Sequence, residues 1–388
     1  MRLKDPHLSL AEEIQTLSRP VLTRGPAVRS WFVDAAVYDH TGELVEAANC
    51  WHTSTNSAFR NPPMVGPSPT HIAGRWFYGG ILYEHFGHIL TETLSRLWAL
   101  DLVEPVDGIL FFPLLPDEPC DVFQDALALL GIDLPWRKII GNVTVDELVV
   151  PPQGMGTGDL MGGSPEFRDF VDRRIAPQVT TGLPDRLYIS RSRTRAERGS
   201  FLGERRLEGL LEAEGYTVFH PQEHSLSEQV DHYAAANSIV GPDGSPFHLV
   251  AYAGRAPQQV AILKRRPGRE WALLAEHLGV FGFETVSTVE GQGGWSPGGI
   301  RRAGLSVTGE ISFASMHSTL LEGGFIDQEI PWTDLTDAER REDLERIGEV
   351  LDADLYEVKG PAQSLAHLPR RGAQDGYRLF PRGSYETR

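Results

Sequence analysis

Apolar and polar positions alternate most regularly in the middle of the chain, where the pattern predicts strands and helices in turn. Residues 186–190 form a short apolar run with β-branched character, which is typical of a buried strand. Leu207, Leu210 and Leu211 then recur at helical spacing. The other predicted elements of this segment are strands at residues 216–219 and 238–240 and helices at residues 204–214 and 226–236. Such alternation predicts a parallel sheet covered by helices.

Two loops in this segment have features of an anion-binding site. The loop after the first strand is strongly basic. Its arginines are Arg191, Arg193, Arg195 and Arg198. The other loop, residues 241–246, contains Gly244 and precedes a helix that Ser245 would cap, with Pro246 at the first helical position. The first N–H groups of a helix have no partner within it, and they favour a phosphate or a carboxylate.

The two loops should lie close together, because both follow strands of one parallel sheet and ligands bind beyond the carboxyl ends of such strands. We therefore predict a single anion site that both loops share. The alternative interpretation is that the arginines form a solvated surface loop and that the glycine-containing segment is only a turn.

The clearest helix of the N-terminal half is predicted at residues 84–100. At about 100° per residue, His85, His88, Glu92 and Arg96 fall within an arc of about 80°, while leucines occupy the opposite side. A stripe of histidine and carboxylate is unusual for a merely solvated face, so we interpret it as a catalytic stripe. One alternative is that the histidines bind loop backbone. Another is that His85, His88 and Glu92 hold a metal ion, although the motif His-Glu-x-x-His is absent.

The remaining pattern suggests three segments. Strands at residues 106–112, 136–140 and 143–150, with a helix at 120–130, indicate a second parallel sheet. The glycine-rich residues 154–158 have no helix directly behind them, so we interpret them as the start of an interdomain connection and not as a dinucleotide site. The predicted domains are residues 1–165, 166–300 and an extension at 301–388, which contains one helix with Thr336 and Glu339 as a capping box.

Composition and charge restrict the class of protein. The chain of 388 residues carries a net charge of −17, which argues against a nucleic-acid-binding protein because phosphate neutralisation needs a basic face. Only two cysteines occur, Cys50 and Cys120, so a reducing compartment is favoured. No signal-peptide core and no apolar run long enough to span a membrane are found. We expect a cytoplasmic protein, or one at the inner face of the membrane.

The central segment resembles the family 61 glycosyltransferases, among them the bacterial capsular-polysaccharide type. The matching positions, in order and spacing, are Tyr188-Ile189-Ser190-Arg191, Arg198, Glu204, Gly215-Tyr216, Pro221, Glu228-Gln229, Gly241 and Gly244. His88 and Glu92 match a histidine and a glutamate of a family helix. Two positions depart from the pattern, since Gly203 stands where the family usually has Asn and Asp243 where it usually has His.

The resemblance implies a fold and a reaction. The fold is α/β, with two Rossmann-like domains facing across a cleft in the GT-B arrangement, residues 1–165 on the acceptor side and residues 166–300 on the nucleotide-sugar side. The reaction is an inverting, metal-independent transfer from a nucleotide diphosphate sugar, with UDP-sugars favoured, to a hydroxyl of a glycan or another acceptor. No cofactor is implied beyond the donor, which is a co-substrate.

The resemblance also implies roles for individual residues. His88 would be the base, Glu92 would orient it or be the base itself, and His85 is the third catalytic candidate. The residues implied in donor binding are Arg191, Arg198, Glu204, Asp243, Gly244 and Ser245. Guanidinium forks suit phosphate oxygens, and Asp243 could contact sugar or ribose hydroxyls.

Two functions of other classes stay open. A catalytically silent module that binds nucleotide sugars or glycans would keep the arginines and would not need His88. A metal-dependent hydrolase would use His85, His88 and Glu92 together with a further ligand. The sequence leaves the acceptor open, and also whether the chain forms a homo-oligomer.

Overall fold

The chain divides into two compact units, Met1–Ala176 and Pro177–Arg388. The computed structural model describes residues 9–26, 32–66, 69–177, 181–255, 257–266, 270–283, 285–291, 293–297, 307–358 and 379–380. The sequence-based boundary at 165/166 falls after the first residue of helix Pro165–Arg174, whereas the structural division follows that helix. In the described part of the chain, each helix is too short or too polar to cross a membrane.

A mixed eight-stranded sheet and a small hairpin make up the strands of the first unit. The strands are β1 Gln15–Ser18, β2 Val21–Arg24, β3 Val33–Tyr38, β4 Trp51–Thr53, β5 Asn56–Ser57, β6 Phe59–Arg60, β7 Thr70–Leu82, β8 Gly108–Pro113, β9 Trp136–Lys138 and β10 Asn142–Val150. The sheet order is β6-β3-β2-β10-β7-β8-β9, with β1 also paired to β10, while β4 and β5 form the hairpin. Its α-helices are α1 Phe86–His88, α2 Asp121–Leu129 and α3 Pro165–Arg174.

The prediction of a wholly parallel sheet in this half was wrong in part. Strands β10, β7, β8 and β9 are parallel neighbours, but β1 and β2 both run antiparallel to β10. Strands β1 and β2 pair with successive stretches of the same edge of β10, because the extended strand is interrupted between them at Arg19 and Pro20. Proline has no N–H to donate to a ladder, and Arg19 has a positive φ of 48°. The result is a mixed α/β unit.

The helix predicted at residues 84–100 is present as one helical run of three geometries. Helix α1 is followed by a π-helix at Ile89–Thr93 and a 3-10 helix at Leu94–Asp101. Side-chain hydroxyls compete with the regular backbone ladder here. Thr91 Oγ1 donates to the Gly87 carbonyl at 3.0 Å, and Ser95 Oγ donates to the Glu92 carbonyl at 2.5 Å. Residues 89–99 are buried, so Glu92 and Arg96 of the polar stripe face protein, whereas His85 and His88 at the start of the run are partly exposed.

A five-stranded parallel sheet forms the centre of the second unit, as the pattern of residues 186–240 predicts. Its strands are β11 Arg186–Ile189, β12 Thr217–Phe219, β13 Ser238–Pro242, β14 Gln259–Leu263 and β15 Thr285–Val289. Its helices are α4 Glu204–Ala213, α5 Leu226–Ala235, α6 Pro246–Ala253 and α7 Glu270–Val280. The spatial order β12-β11-β13-β14-β15 is that of a doubly wound fold, in which connections reverse direction between β11 and β13. Ligands in such sheets bind at that point, beyond the carboxyl ends of the strands.

The described part of the C-terminal region is built into this second unit. It contains β16 Gly293–Pro297, β17 Thr308–Glu310, β18 Leu355–Val358, β19 Leu379–Phe380, α8 Phe313–Glu322 and α9 Asp337–Leu351. Thr336 and Glu339 form the predicted capping box at the start of α9. Phe313 and Trp332 share a core cluster with Tyr188 of β11, so the sequence-based boundary at 300/301 cuts through one core. Residues 301–306, 359–378 and 381–388 of the predicted extension lie outside the described residues.

Short 3-10 turns connect many of these elements. They lie at Leu10–Glu13, Glu46–Ala48, Gly158–Leu160, Ala196–Arg198 and Pro221–Glu223.

Candidate active site

Glu92 is the centre of a buried polar cluster in the first unit. The residue lies in the π-helical segment and is 7 % exposed. Its Oε1 contacts Nδ1 of His52 at 2.6 Å, and its Oε2 contacts Nδ1 of His88. Burial alone would raise the pKa of Glu92, but the hydrogen bonds from His52 and His88 outweigh it and hold that pKa below its ordinary value. The carboxylate is therefore ionised at neutral pH.

This ionised carboxylate determines the tautomer of each neutral imidazole beside it. A carboxylate only accepts hydrogen bonds, so Nδ1 of His52 and Nδ1 of His88 each carry a hydrogen. The lone pair of each ring then lies on Nε2. A buried carboxylate also stabilises the imidazolium that forms when Nε2 takes a proton. The cluster can therefore act as an oriented base.

His52 was not found by sequence reasoning, since it lies in β4, far along the chain from the helix that carries Glu92. Its backbone carbonyl accepts hydrogen bonds from the Thr157 N–H at 2.7 Å and the Thr157 hydroxyl at 2.9 Å. Gly156 lies so close that a Cβ there would be 3.0 Å from the same carbonyl. The sequence pattern predicts that the glycine-rich residues 154–158 begin an interdomain connection. In the structure they pack inside the first unit instead and hold His52 in place.

Aromatic rings surround His88. The Tyr83 ring stacks on it with centroids 5.0 Å apart, and the His85 ring meets it edge-on at 5.4 Å. Burial raises the pKa of the Tyr83 hydroxyl well above its ordinary value, and the Glu92 charge adds to this shift, so that hydroxyl stays protonated. The structure thus brings His85, His88 and Glu92 together, as their spacing predicts.

Arg96, the last residue of the predicted stripe, has a structural role. It is fully buried, and its guanidinium donates to the carbonyls of Ala47, Asn49 and Pro151. The same group lies over the Tyr78 ring at 5.1 Å. These bonds tie the loops before β4 and after β10 to the helical run.

The metal-site alternative needs at least three ligands that converge on one ion. Within the ranges that the structure describes, no group of three or more His, Cys, Asp or Glu side chains has that arrangement. The Glu92 cluster is connected by hydrogen bonds through Nδ1 of two histidines instead.

In the second unit, the structure brings the two predicted anion loops to one sheet edge. Arg191 follows β11 and Gly244 follows β13, and these two strands are parallel neighbours. A Cβ placed on Gly244 would lie 3.0 Å from Nη1 of Arg191, so the guanidinium sits directly against the turn. Glycine at this position lets the end of the Arg191 side chain lie against the turn.

The Arg191 side chain is held by loop carbonyls. Its Nε donates to the Gly199 carbonyl at 3.0 Å, and its Nη2 donates to the Arg198 carbonyl at 2.7 Å. Its Nη1 finds no hydrogen-bond acceptor among the described residues. The Arg198 side chain itself is exposed.

Glu204 orders this loop from inside the protein. It is buried, and its Oε1 accepts hydrogen bonds from the Arg191 N–H at 2.6 Å and from the Tyr188 hydroxyl at 3.2 Å. Burial raises the pKa of Glu204 even though Arg191 is close. The structure thus places Glu204 behind the loop, where it positions Arg191.

The turn before α6 presents backbone N–H groups. Pro246 takes the first helical position as predicted, but the Ser245 side chain does not cap the helix, because Ser245 itself has αR geometry. Phe247 N–H bonds the Gly244 carbonyl at 3.2 Å. In the described ranges the N–H groups of Gly244 and Ser245 have no acceptor, so both can donate to a bound anion.

Two arginines, Arg265 and Arg266, hold the Asp243 carboxylate. The carboxylate is 1 % exposed. Its Oδ2 accepts from the Arg265 N–H at 3.0 Å, and its Oδ1 accepts from Nε of Arg266 at 2.7 Å. Burial would raise the pKa of Asp243, but the charges of Arg265 and Arg266 outweigh it and hold the pKa below its ordinary value. The signal that could have located these arginines is their position directly after β14.

Gly203 is the other departure from the family pattern, and its backbone conformation and packing explain why a glycine stands there. It precedes α4 with φ +74° and ψ 18°, a left-handed conformation that glycine adopts without strain. A Cβ at this position would lie 2.8 Å from Leu335 and 3.0 Å from Phe313, both of the C-terminal region. Packing of that region therefore favours glycine here.

Two solved structures resemble this chain weakly. One is the dodecameric iron-containing heptosyltransferase TibC in complex with ADP-D-beta-D-heptose, which is 11% identical over 67% of this chain and 79% of its own, with a TM-score of 0.29. The other is the bacterial iron-containing dodecameric glycosyltransferase TibC from enterotoxigenic E. coli H10407, 11% identical over 64% of this chain and 74% of its own, with a TM-score of 0.27. At such TM-scores these likenesses carry no argument.

No curated protein matches the chain. The model of the family described as Glycosyltransferase 61, by contrast, matches residues 86–261. The matched region holds His88 and Glu92 as well as Arg191, whereas His52 and Arg266 lie outside it. This match supports a glycosyltransferase function. Residues 86–261 match the Glycosyltransferase 61 family model, which confirms the resemblance that the sequence motifs predict.

Proposed function

We propose that this protein is an inverting GT-B glycosyltransferase that uses a nucleotide diphosphate sugar, foremost a UDP-sugar, and a hydroxyl acceptor such as a glycan. The observation that carries the proposal is the Arg191 guanidinium against the Gly244 turn, at the strand edge where doubly wound sheets bind ligands. Arg191 and Gly244 both lie in the segment that matches the Glycosyltransferase 61 model, which supports this proposal. A role in polysaccharide biosynthesis is part of the same proposal.

The first chemical task is removal of a proton from the acceptor hydroxyl. We assign it to Nε2 of His88, which carries the ring's lone pair because Nδ1 donates to Glu92. The acceptor oxygen then forms a bond to the anomeric carbon of the donor as that carbon's bond to the diphosphate oxygen breaks. The proton ends on His88, and the buried Glu92 carboxylate stabilises the resulting imidazolium. His52 is a positioning residue, because it holds the other oxygen of Glu92.

The second task is stabilisation of the leaving diphosphate, which carries away the electron pair of the broken bond. Nη1 of Arg191 and the N–H groups of Gly244 and Ser245 are donors at one turn, suited to phosphate oxygens. The exposed Arg198 adds positive charge to the same loop. Donors already in place cost no reorganisation when charge develops on the leaving group.

A thermal-shift screen tests the proposal directly. We expect a UDP-, GDP- or dTDP-sugar to raise the melting temperature more than a CMP-sugar, which carries a single phosphate, because a ligand that binds only the native state stabilises it by mass action. The full chain with each nucleotide sugar is compared with the same chain and the free sugar. Absence of a shift with every nucleotide diphosphate sugar would contradict the donor assignment. Donor binding without product from any acceptor would favour the silent binding module.

Transfer is also expected to continue unchanged in EDTA. Arginines and backbone N–H groups supply the positive potential that a metal ion provides to the diphosphate in other transferases, so no metal is needed for departure of the leaving group. The measurement is the initial rate with and without chelator, together with elemental analysis of the purified protein. Near-stoichiometric zinc or manganese that is lost in His88→Ala would instead support the metal-dependent hydrolase.

A further inference from the structure

We propose that Arg266, positioned by Asp243, is an additional phosphate-binding residue of the donor site. The inference rests on the proposed function and extends it to a residue beyond the family match, which ends at residue 261. It also gives a role to Asp243, one of the two positions at which this chain departs from the family pattern.

The sheet topology brings Arg266 to the donor turn. Strands β13 and β14 are parallel neighbours, with Pro242 opposite Leu263 at their last paired position. Residues 264–266 and residues 243–245 therefore leave the sheet side by side at the carboxyl edge. The Asp243 N–H bonds the Leu263 carbonyl at 2.9 Å, which extends this register by one residue.

The contacts of Arg266 leave most of its guanidinium without an acceptor. Its Nε donates to Asp243 Oδ1 at 2.7 Å, and its side chain is only 11 % exposed. Its backbone N–H lies 3.3 Å from Oδ2 of the same carboxylate. Neither Nη1 nor Nη2 has a hydrogen-bond acceptor in the part of the chain that the structure describes. A guanidinium has five N–H donors, and the Nη atoms of Arg266 are not buried, so they are accessible to a ligand.

The charges around the turn favour an anion. Arg191, Arg265 and Arg266 influence one another electrostatically, and Asp243 and Glu204 are the carboxylates among them. Burial, and after it the charges of Arg191 and Arg266, hold the pKa of Arg265 well below its ordinary value. Burial raises the pKa of Glu204. The pKa of Asp243, by contrast, is held below its ordinary value by Arg265 and Arg266. A phosphate would offset the remaining positive charge.

The number of arginines points to a diphosphate in particular. Arg191 Nη1 and the turn N–H groups can serve one phosphate group, and the planar fork of Arg266 can serve a second one through Nη1 and Nη2. Asp243 holds Nε of that fork, which leaves the other edge to the ligand. Removal of Arg266 should therefore weaken binding of UDP more than binding of UMP.

Titration calorimetry of the full chain with UDP and UMP tests this inference. We expect Arg266→Gln to weaken UDP binding about tenfold or more, the scale of a lost charge-assisted bond, and to change UMP binding much less. Glutamine keeps an uncharged polar stem, so the variant should fold, which the thermal midpoint without ligand verifies. The matched control is Arg341→Ala, which removes an exposed arginine of α9 and should leave both affinities unchanged.

Asp243→Asn supplies the test of positioning. It keeps the size of the side chain and removes the charge that holds Arg266, so UDP binding should fall while UMP binding changes less. Unchanged UDP affinity in Arg266→Gln, with the wild type binding UDP, would overturn this inference and leave the proposed function standing. If the wild type binds neither UDP nor another nucleotide diphosphate, inorganic pyrophosphate is the second probe. No pyrophosphate binding would overturn the anion site and with it both proposals.

Discussion

Replacement of His88 by alanine is expected to slow sugar transfer by roughly 100-fold or more, the usual scale for a lost general base. Donor affinity should stay within about twofold, because His88 belongs to the first unit and the donor-binding residues belong to the second. The measurement is donor binding and product formation side by side, with the fold verified by circular dichroism. Transfer at the native rate in His88→Ala would show that the base assignment is wrong.

Three further variants separate the roles within this cluster. Glu92→Gln keeps the shape but loses the charge that stabilises the imidazolium, so we expect a similar or smaller loss of rate. His52→Ala should reduce the rate less than His88→Ala does, since His52 acts through Glu92. His71→Ala is the matched control, because His71 is a half-exposed histidine paired with Asp146 on the surface, and its removal should leave the rate unchanged.

Replacement of Arg191 by alanine is expected to weaken nucleotide diphosphate binding by about 2 kcal/mol, or roughly 30-fold, since a charge-assisted phosphate contact is lost. Arg198→Ala should weaken binding less, because its side chain is exposed and its carbonyl, which accepts from Arg191, is retained. Titration calorimetry with UDP measures both effects.

The control for this series lies in the same loop. Arg193 is 62% exposed at its side chain and pairs with Glu223, so Arg193→Ala removes an equal charge without touching the turn. Its UDP affinity should stay near that of the wild type. Equal losses in Arg191→Ala and Arg193→Ala would indicate a diffuse charge effect, and unchanged affinity in Arg191→Ala would remove the donor-site assignment.

Local periodicity was sufficient for much of the second unit. Strands β11, β12 and β13 and helices α4 and α5 lie where the alternation predicts them, because strand burial, helical leucine spacing and the Ser225–Glu228 capping box are properties of short segments. The meeting of Arg191 with the Gly244 turn also followed, since parallel neighbours end at one edge. For these two loops, the position predicted from the order of elements along the chain is the one that the sheet topology gives.

The same approach was less successful in the first unit. The spacing of His88, Glu92 and Arg96 placed them on one side of a helix, but periodicity does not reveal what that side faces. Carbonyls of distant loops enclose Arg96, and hydroxyl bonds distort the helix into π and 3-10 geometry. The antiparallel β1 and β2 were also not foreseen, because they pair with a strand more than a hundred residues later in the chain.

The sequence by itself indicated the family resemblance, the alternation of strands and helices in the second unit, and the chemical types at both candidate sites. Only the tertiary structure decided which side chains complete those sites. His52 reaches Glu92 from a separate hairpin, and Arg266 reaches Asp243 from a neighbouring strand end. The reason is physical: spacing along a helix or a turn reports contacts within a few residues, whereas these hydrogen bonds join segments that only the packed sheets bring together.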